Sequence, residues 1–172
     1  QVTNIAGVPY TFSMLKRFRF EQLDLSSLRF MTQAGGAMGT ALTEQFLGIC
    51  EANNWQFYTM YGQTEATARI SFVPPDQARN KLGSVGVPIP GGEVSLSAVE
   101  GRDLSAGVGE LIYSGPNVSL GYAYCAADLA RGDDNKGQLK TGDLARIDCD
   151  GFIYIEGRLR RYAKIYGNNV NL

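Results

Sequence analysis

The sequence predicts an α/β fold in which a parallel α/β sheet portion is followed by a small antiparallel β-barrel, and three observations carry that reading. A strand–helix–strand alternation runs from Leu28 to Met60, the signature of a parallel layer. The composition changes after Pro74-Pro75, where glycines and short β-type runs replace helical periodicity. Asp150-Gly151 lies between two such runs and is a strong short-range hairpin signal. The expected organisation is an α/β portion over 1–80, a β-barrel over 81–156 and a tail over 157–172.

Taken in order, Pro9 to Phe20 carries Tyr10, Met14, Leu15 and Phe18 at helical spacing. Leu28 to Ala34 reads as a short apolar strand that runs into Gly35-Gly36-Ala37. Thr40 to Asn53 places Ala41, Leu42, Phe46, Leu47 and Ile49 as an amphipathic helix would. Trp55 to Met60 is a second strand, and Thr64 to Ile70 is expected to open a helix. Further on, Ser84-Val85, Glu93 to Leu96 and Glu110 to Tyr113 are β-type runs, separated by turn signals at Pro90-Gly91-Gly92, Gly107 and Gly115-Pro116-Asn117. Leu144 to Asp148 and Phe152 to Ile155 flank the hairpin turn. Ligands bind at the carboxyl ends of parallel strands, and both Gly35–Ala37 and Tyr61–Glu65 fall there.

Composition excludes several functions. With 16 basic and 17 acidic residues the formal charge is −1, which argues against nucleic acid or an anionic membrane as the main partner. No apolar run is long enough to span a bilayer, and no signal peptide opens the chain. Cys50, Cys125 and Cys149 are widely spaced, with no CxxC, so neither a zinc cluster nor a disulfide framework is expected, and a reducing cytoplasm fits. There is no histidine, which removes Ser-His and Cys-His nucleophile designs. Gln1 at the start and an unfinished apolar–polar alternation from Asn168 to Leu172 read as the ends of an internal piece of a larger protein.

Three polar clusters carry chemistry. In Tyr61-Gly62-Gln63-Thr64-Glu65 the glycine permits close backbone approach, the ring can stack on a base, the hydroxyl can donate to a phosphate, and one carboxylate suffices for magnesium. The same residues equally fit a strand-to-helix turn with a capping threonine. Thr141-Gly142-Asp143 offers a carboxylate for a ribose diol, or a β-turn with its usual aspartate. The basic run from Arg158 through Arg160, Arg161 and Lys164 is either a solvated face or, at Arg158, a fork for phosphate charge.

In this order the clusters resemble the adenylate-forming superfamily of acyl-CoA synthetases, peptide-synthetase adenylation domains and luciferases. The matching strings are GVPYTF, QAGGA, MYGQTEATAR, GSVGVPIPGGEV, GELIYSGPNVSLGY, LKTGDLARIDCDGFIYIEGR and RRYAKIYGNNV, over essentially the whole chain. The resemblance implies the C-terminal part of the large domain, with 157–172 as the hinge to, and start of, a small lid domain. It implies that Tyr61 stacks on adenine with Gly62 beside it, that Thr64 contacts phosphate, that Glu65 holds Mg2+, and that Asp143 binds the ribose diol with Arg158 near ribose and phosphates. Gly35, Gly36 and Ala37 would line the adenylate and acyl pocket, with Pro9 to Phe12 beside them. Arg160 would be the hinge, where relatives usually have Asp or Lys. Lys164 and Gly167 would belong to the lid segment for thiol transfer.

The implied reaction joins a small-molecule carboxylic acid to ATP, giving acyl-adenylate and pyrophosphate, after which a thiol acceptor, commonly coenzyme A, displaces AMP. A carboxylic acid of ordinary pKa is already ionised at neutral pH, so the lack of histidine costs this chemistry nothing. The family's upstream glycine-rich phosphate loop and its far C-terminal lysine are not among these residues, so this piece is expected to be inactive alone. A non-catalytic nucleotide-binding or interaction remnant is the competing reading. A β-rich RNA-binding piece is a weaker third, disfavoured by the acidic balance.

Overall fold

The computed structural model of the chain describes residues 2–99, 107–159, 162–165 and 168–171. The chain folds as two compact units. The first runs to Ile89 except for Glu65–Thr67, which belong to the second together with Pro90–Leu172.

The first unit is the α/β layer. Its elements are β1 (Asn4–Gly7), α1 (Pro9–Arg17), β2 (Phe30–Gln33), α2 (Thr40–Ala52), β3 (Gln56–Tyr61), β4 (Ser71–Phe72) and β5 (Val87–Pro88). β1, β2 and β3 pair in parallel, while β4 is antiparallel to β3 and β5 to β4. Pro9 starts α1 with a φ already suited to a helix, and Lys16 and Arg17 sit at its carboxyl end, where the helix dipole favours cations. α1 stops short of the expected Phe20 because Arg19 takes a left-handed conformation, φ 50. α2 buries Thr43, Phe46, Leu47 and Cys50, an i, i+3, i+4, i+7 face. That face meets a ring cluster: Phe46 packs edge-on to Phe12 at 4.9 Å and stacks on Phe20 at 5.5 Å, and Phe12 lies 5.6 Å from Phe57. Such pairs add about 0.5–1.5 kcal/mol each beyond their buried area.

Two expectations are corrected here. The first unit continues past residue 80, because β5 pairs with β4 and the Ile89 amide donates to the Ile70 carbonyl at 3.0 Å. Ser84-Val85 is irregular chain rather than a strand, with the Gly86 amide donating to the Ser84 hydroxyl at 2.9 Å.

Cys50 is 1% exposed on the inner face of α2, and burial, aided by the neighbouring Glu51 charge, pushes its thiol up to about 12. Cys125 and Cys149 are exposed. Ellman's reagent near about pH 8 is therefore expected to label Cys125 and Cys149 rapidly and Cys50 only after unfolding. Equal rates at all three thiols would contradict the packing of α2.

The second unit is built on β6 (Glu93–Ser97), β7 (Gly109–Ser114), β8 (Gln138–Ile147) and β9 (Ile153–Arg158). Among the described residues these four strands, each antiparallel to the next in chain order, are what forms of the expected barrel. Its core is Leu111, Tyr113, Ala145 and Ile153, all fully buried. The expected hairpin turn is in place. Gly151 takes φ 83, and Asp148 Oδ1 accepts from the amides of Asp150 and Phe152 at 3.0 and 2.9 Å. β10 (Tyr162–Ile165) and β11 (Asn168–Asn171) form a separate antiparallel pair. No helix among the described residues is long and apolar enough to cross a membrane.

Candidate nucleotide-binding site

In the first unit the expected residues stand at the carboxyl ends of neighbouring parallel strands, where Gln33 is in register with Thr59. Gly35, Gly36 and Ala37 are exposed beyond β2. Their loop is held by Gln33, 1% exposed, whose Nε2 donates to the Gly36 carbonyl at 2.8 Å. The loop lies close to the start of α1, so that a Cβ on Gly35 would meet Val8 Cγ1 at 3.2 Å. Phe12, expected beside the acid pocket, is instead a fully buried member of the ring cluster. Proline starts the helix at residue 9, which places Phe12 on its inner face and leaves Tyr10 outward at 70% exposure.

Tyr61 ends β3, half-buried, its hydroxyl accepting from Gln63 Nε2 at 3.4 Å. The chain folds back over Gly62 so tightly that a Cβ there would fall 2.2 Å from the Ala68 carbonyl oxygen, so only glycine fits. Thr64 is exposed.

The helix expected over Thr64–Ile70 does not form. A single 3-10 turn covers Thr64–Ala66, and Thr67 and Ala68 then take left-handed φ of 47 and 71. The Ala66 carbonyl, which a helix would give to the Ile70 amide, instead accepts from Asn117 Nδ2 at 2.6 Å. The Ile70 amide turns to the Tyr61 carbonyl at 2.9 Å.

Glu65 is fixed by the second unit's own chain. The Ser119 amide donates to its carbonyl at 2.8 Å, and the Tyr122 hydroxyl donates to its Oε1. That bond to a carboxylate pushes the Tyr122 phenol up to about 12. Asn117 is itself oriented by the buried Tyr113 hydroxyl, which donates to Asn117 Oδ1 at 2.7 Å, and the Thr67 hydroxyl donates to the Asn117 carbonyl. Sequence reasoning assigned no role to Gln33, Asn117 or Tyr122. Asn117 and Tyr122 lie 51 and 57 positions from their partners, beyond any local pattern.

Thr141-Gly142-Asp143 is neither a free turn nor a loop. It is a bulge inside β8, where Leu111 alone spans the step between the register pairs Glu110–Leu144 and Ile112–Lys140. Gly142 takes φ 71, its amide donating to Glu110 Oε1 at 3.2 Å. The Thr141 hydroxyl donates to the Leu111 carbonyl at 2.8 Å and accepts from the Asp143 amide at 3.1 Å. Asp143 pairs in register with Arg158 on β9, and Arg158 Nε donates to Asp143 Oδ1 at 2.6 Å. The Asp143 side chain is 4% exposed and that of Arg158 55%, so a buried carboxylate is met by a cation that reaches solvent. Arg160 and Gly167 lie outside the described residues. Lys164 lies on β10, and only its backbone is described.

This parallel layer followed by an antiparallel sheet matches the fold of solved adenylate-forming enzymes. Residues 1–123 match the AMP-binding enzyme family. Feruloyl-CoA synthase from Amycolatopsis sp is 30% identical over 99% of this chain and 34% of its own length. Long-chain-fatty-acid–CoA ligase from Yersinia pestis is 33% identical over 98% of this chain and 29% of its own length. Among solved structures, o-succinylbenzoate coenzyme A synthetase from Bacillus subtilis in complex with ATP and magnesium ion superposes with a TM-score of 0.69 at 28% identity, covering 98% of this chain and 34% of that one. The same enzyme in complex with its acyl-adenylate intermediate gives 0.71 at 26% identity over 99% of this chain and 34% of that one. The chain belongs to the AMP-binding enzyme family, and it spans about a third of the length of these relatives.

Proposed function

We propose that this chain supplies part of the nucleotide site of an acid–thiol ligase, which activates a carboxylic acid with ATP as an acyl-adenylate and then forms a thioester with coenzyme A. The observation that carries the reading is the Asp143–Arg158 pair, a buried carboxylate and a solvent-reaching guanidinium held together at 2.6 Å by a side-chain-braced bulge.

The residue roles are those the family resemblance implies, and the side-chain chemistry suits each. The Tyr61 ring stacks on adenine, a contact of about 1–3 kcal/mol for base–aromatic stacking elsewhere. The exposed Thr64 hydroxyl donates to a phosphate oxygen. Asp143 accepts from the ribose hydroxyls, and the Arg158 fork serves a carboxylate and a phosphate together. Among the described residues no group of three metal-ligating side chains exists, and Glu65 is a lone, half-buried carboxylate. That donor set fits magnesium, which is commonly held by one or two carboxylates plus substrate phosphates rather than by a protein cage. When bound, the ion would neutralise phosphate charge as the acid attacks. Gly35–Ala37 would flank the acyl group. The relatives' names, feruloyl, long-chain fatty and indoleacetate, support an apolar or aryl acid.

The reading of 157–172 as a hinge with the start of a lid belongs to the same proposal. So do Arg160 as hinge and Lys164 and Gly167 as lid residues for thiol transfer, in a cytoplasmic enzyme. The test is carboxylate-dependent exchange of pyrophosphate into ATP. The full-length protein is expected to catalyse it with an apolar or aryl acid. These 172 residues alone, which hold neither the glycine-rich phosphate loop nor the far lysine, are expected to give none. Exchange by the 172-residue chain would refute the second expectation, and its absence from the full-length protein across a panel of such acids would favour a non-catalytic remnant.

A further inference from the structure

We infer that Tyr122 biases which divalent cation the site accepts, by engaging one oxygen of Glu65 so that ligation through the other oxygen is favoured over ligation through both. The inference rests on the proposed role of Glu65 and goes beyond it. A carboxylate can bind a cation through one oxygen or through both. Calcium accepts either mode, with six to eight ligands in flexible geometry, whereas magnesium demands a near-ideal octahedron. A residue that competes for one oxygen and so disfavours the two-oxygen mode therefore penalises calcium more than magnesium.

The geometry supplies that constraint. The Tyr122 hydroxyl donates to Glu65 Oε1, and among the described residues Oε2 has no partner. The main chain beneath is pinned at two successive carbonyls of the turn. The Ser119 amide binds the Glu65 carbonyl, and Asn117 Nδ2, set by Tyr113, binds that of Ala66. With the backbone fixed, the carboxylate's remaining freedom is rotation about its own side-chain bonds, and the Tyr122 hydroxyl limits it. Tyr122 is in turn stacked on Tyr124, with ring centroids 6.2 Å apart and planes 26° apart, so its ring stays in place when the hydroxyl is removed. Tyr122 is a positioning residue here. It acts through Glu65.

The experiment is calorimetric titration of the full-length protein with ATP in EDTA, in magnesium chloride and in calcium chloride, using wild type, Tyr122→Phe and Glu65→Gln. Each metal's effect is read as the gain in ATP affinity over EDTA. In Tyr122→Phe the ratio of the magnesium gain to the calcium gain is expected to fall by about three- to tenfold, the size of one net hydrogen bond. Tyr122 is 60% exposed, so the variant is expected to fold, and an unchanged melting curve verifies it. An unchanged ratio in Tyr122→Phe, alongside loss of the magnesium gain in Glu65→Gln, would overturn the inference and leave the metal reading intact. A magnesium gain that survives in Glu65→Gln would overturn both. A purely structural role for Tyr122 would lower the melting temperature and leave the ratio where it was.

Discussion

Asp143→Ala is expected to weaken ATP and AMP alike, by about 10- to 100-fold, because both nucleotides carry the ribose whose hydroxyls the carboxylate would accept. A hydrogen bond to a charged group is worth roughly 1.5–3 kcal/mol, and each factor of ten is about 1.4 kcal/mol. The side chain is 4% exposed, so the carboxylate is poorly screened and its loss is not made good by water. The competing account is that the pair with Arg158 is only a structural brace. The exposures separate the two. Removing Asp143 leaves a guanidinium that is 55% exposed and can hydrate, so the fold should lose little. Removing Arg158 leaves a buried carboxylate without its 2.6 Å partner, which is the costly direction. Arg158→Ala is therefore expected to lower the melting temperature more than Asp143→Ala does, while Asp143→Ala has the larger effect on AMP. Equal nucleotide affinity in Asp143→Ala and wild type, by calorimetry on the full-length protein, would dismiss Asp143 as a ribose ligand.

What the sequence made legible follows physical range. α2 shows in the sequence because its buried positions repeat at helical spacing. β7 shows as a continuous apolar run, and the Asp150-Gly151 turn needs φ > 0 where glycine supplies it. β1 is not legible in the sequence, because four residues that alternate exposed and half-buried carry little periodic signal and its parallel partner β2 lies a whole crossover away. The helix expected after Thr64 was reasonable from local propensity. It was displaced by a tertiary contact, Asn117 on the Ala66 carbonyl, that no window around residue 66 contains. The candidate site divides along the same line. Tyr61, Gly62 and Asp143 were readable because ring, glycine and carboxylate stood in compact strings. That Thr141–Asp143 would be a strand bulge rather than a turn depended on its pairing with Leu111, and the side chains that brace Glu65 come from more than fifty positions away.

Glu65→Ala is expected to separate the nucleotides that Asp143→Ala does not. AMP lacks the β and γ phosphates that share a magnesium ion, so its affinity should stay close to wild type, while the magnesium-dependent part of ATP affinity is lost. The rate of pyrophosphate exchange is expected to fall by roughly 10²- to 10³-fold, the scale seen when one preorganised charge-stabilising group is removed from a reaction centre. The substitution leaves the main-chain bond from Ser119 in place, and it frees the Tyr122 hydroxyl, itself largely exposed, to bond water. The loss should therefore appear in the chemistry and in metal dependence with only a small change in melting temperature. Glu65→Asp sharpens the point. It keeps the charge but withdraws the carboxylate by one methylene and so alters its approach to the Tyr122 hydroxyl and to a bound ion. If charge alone matters, Glu65→Asp recovers most of the exchange rate. If the placement set by Ser119, Asn117 and Tyr122 matters, Glu65→Asp remains close to Glu65→Ala, since an ion with a near-ideal octahedral requirement tolerates little displacement of its ligand. The braced turn predicts the second outcome. A fully active Glu65→Ala would remove Glu65 from the mechanism altogether.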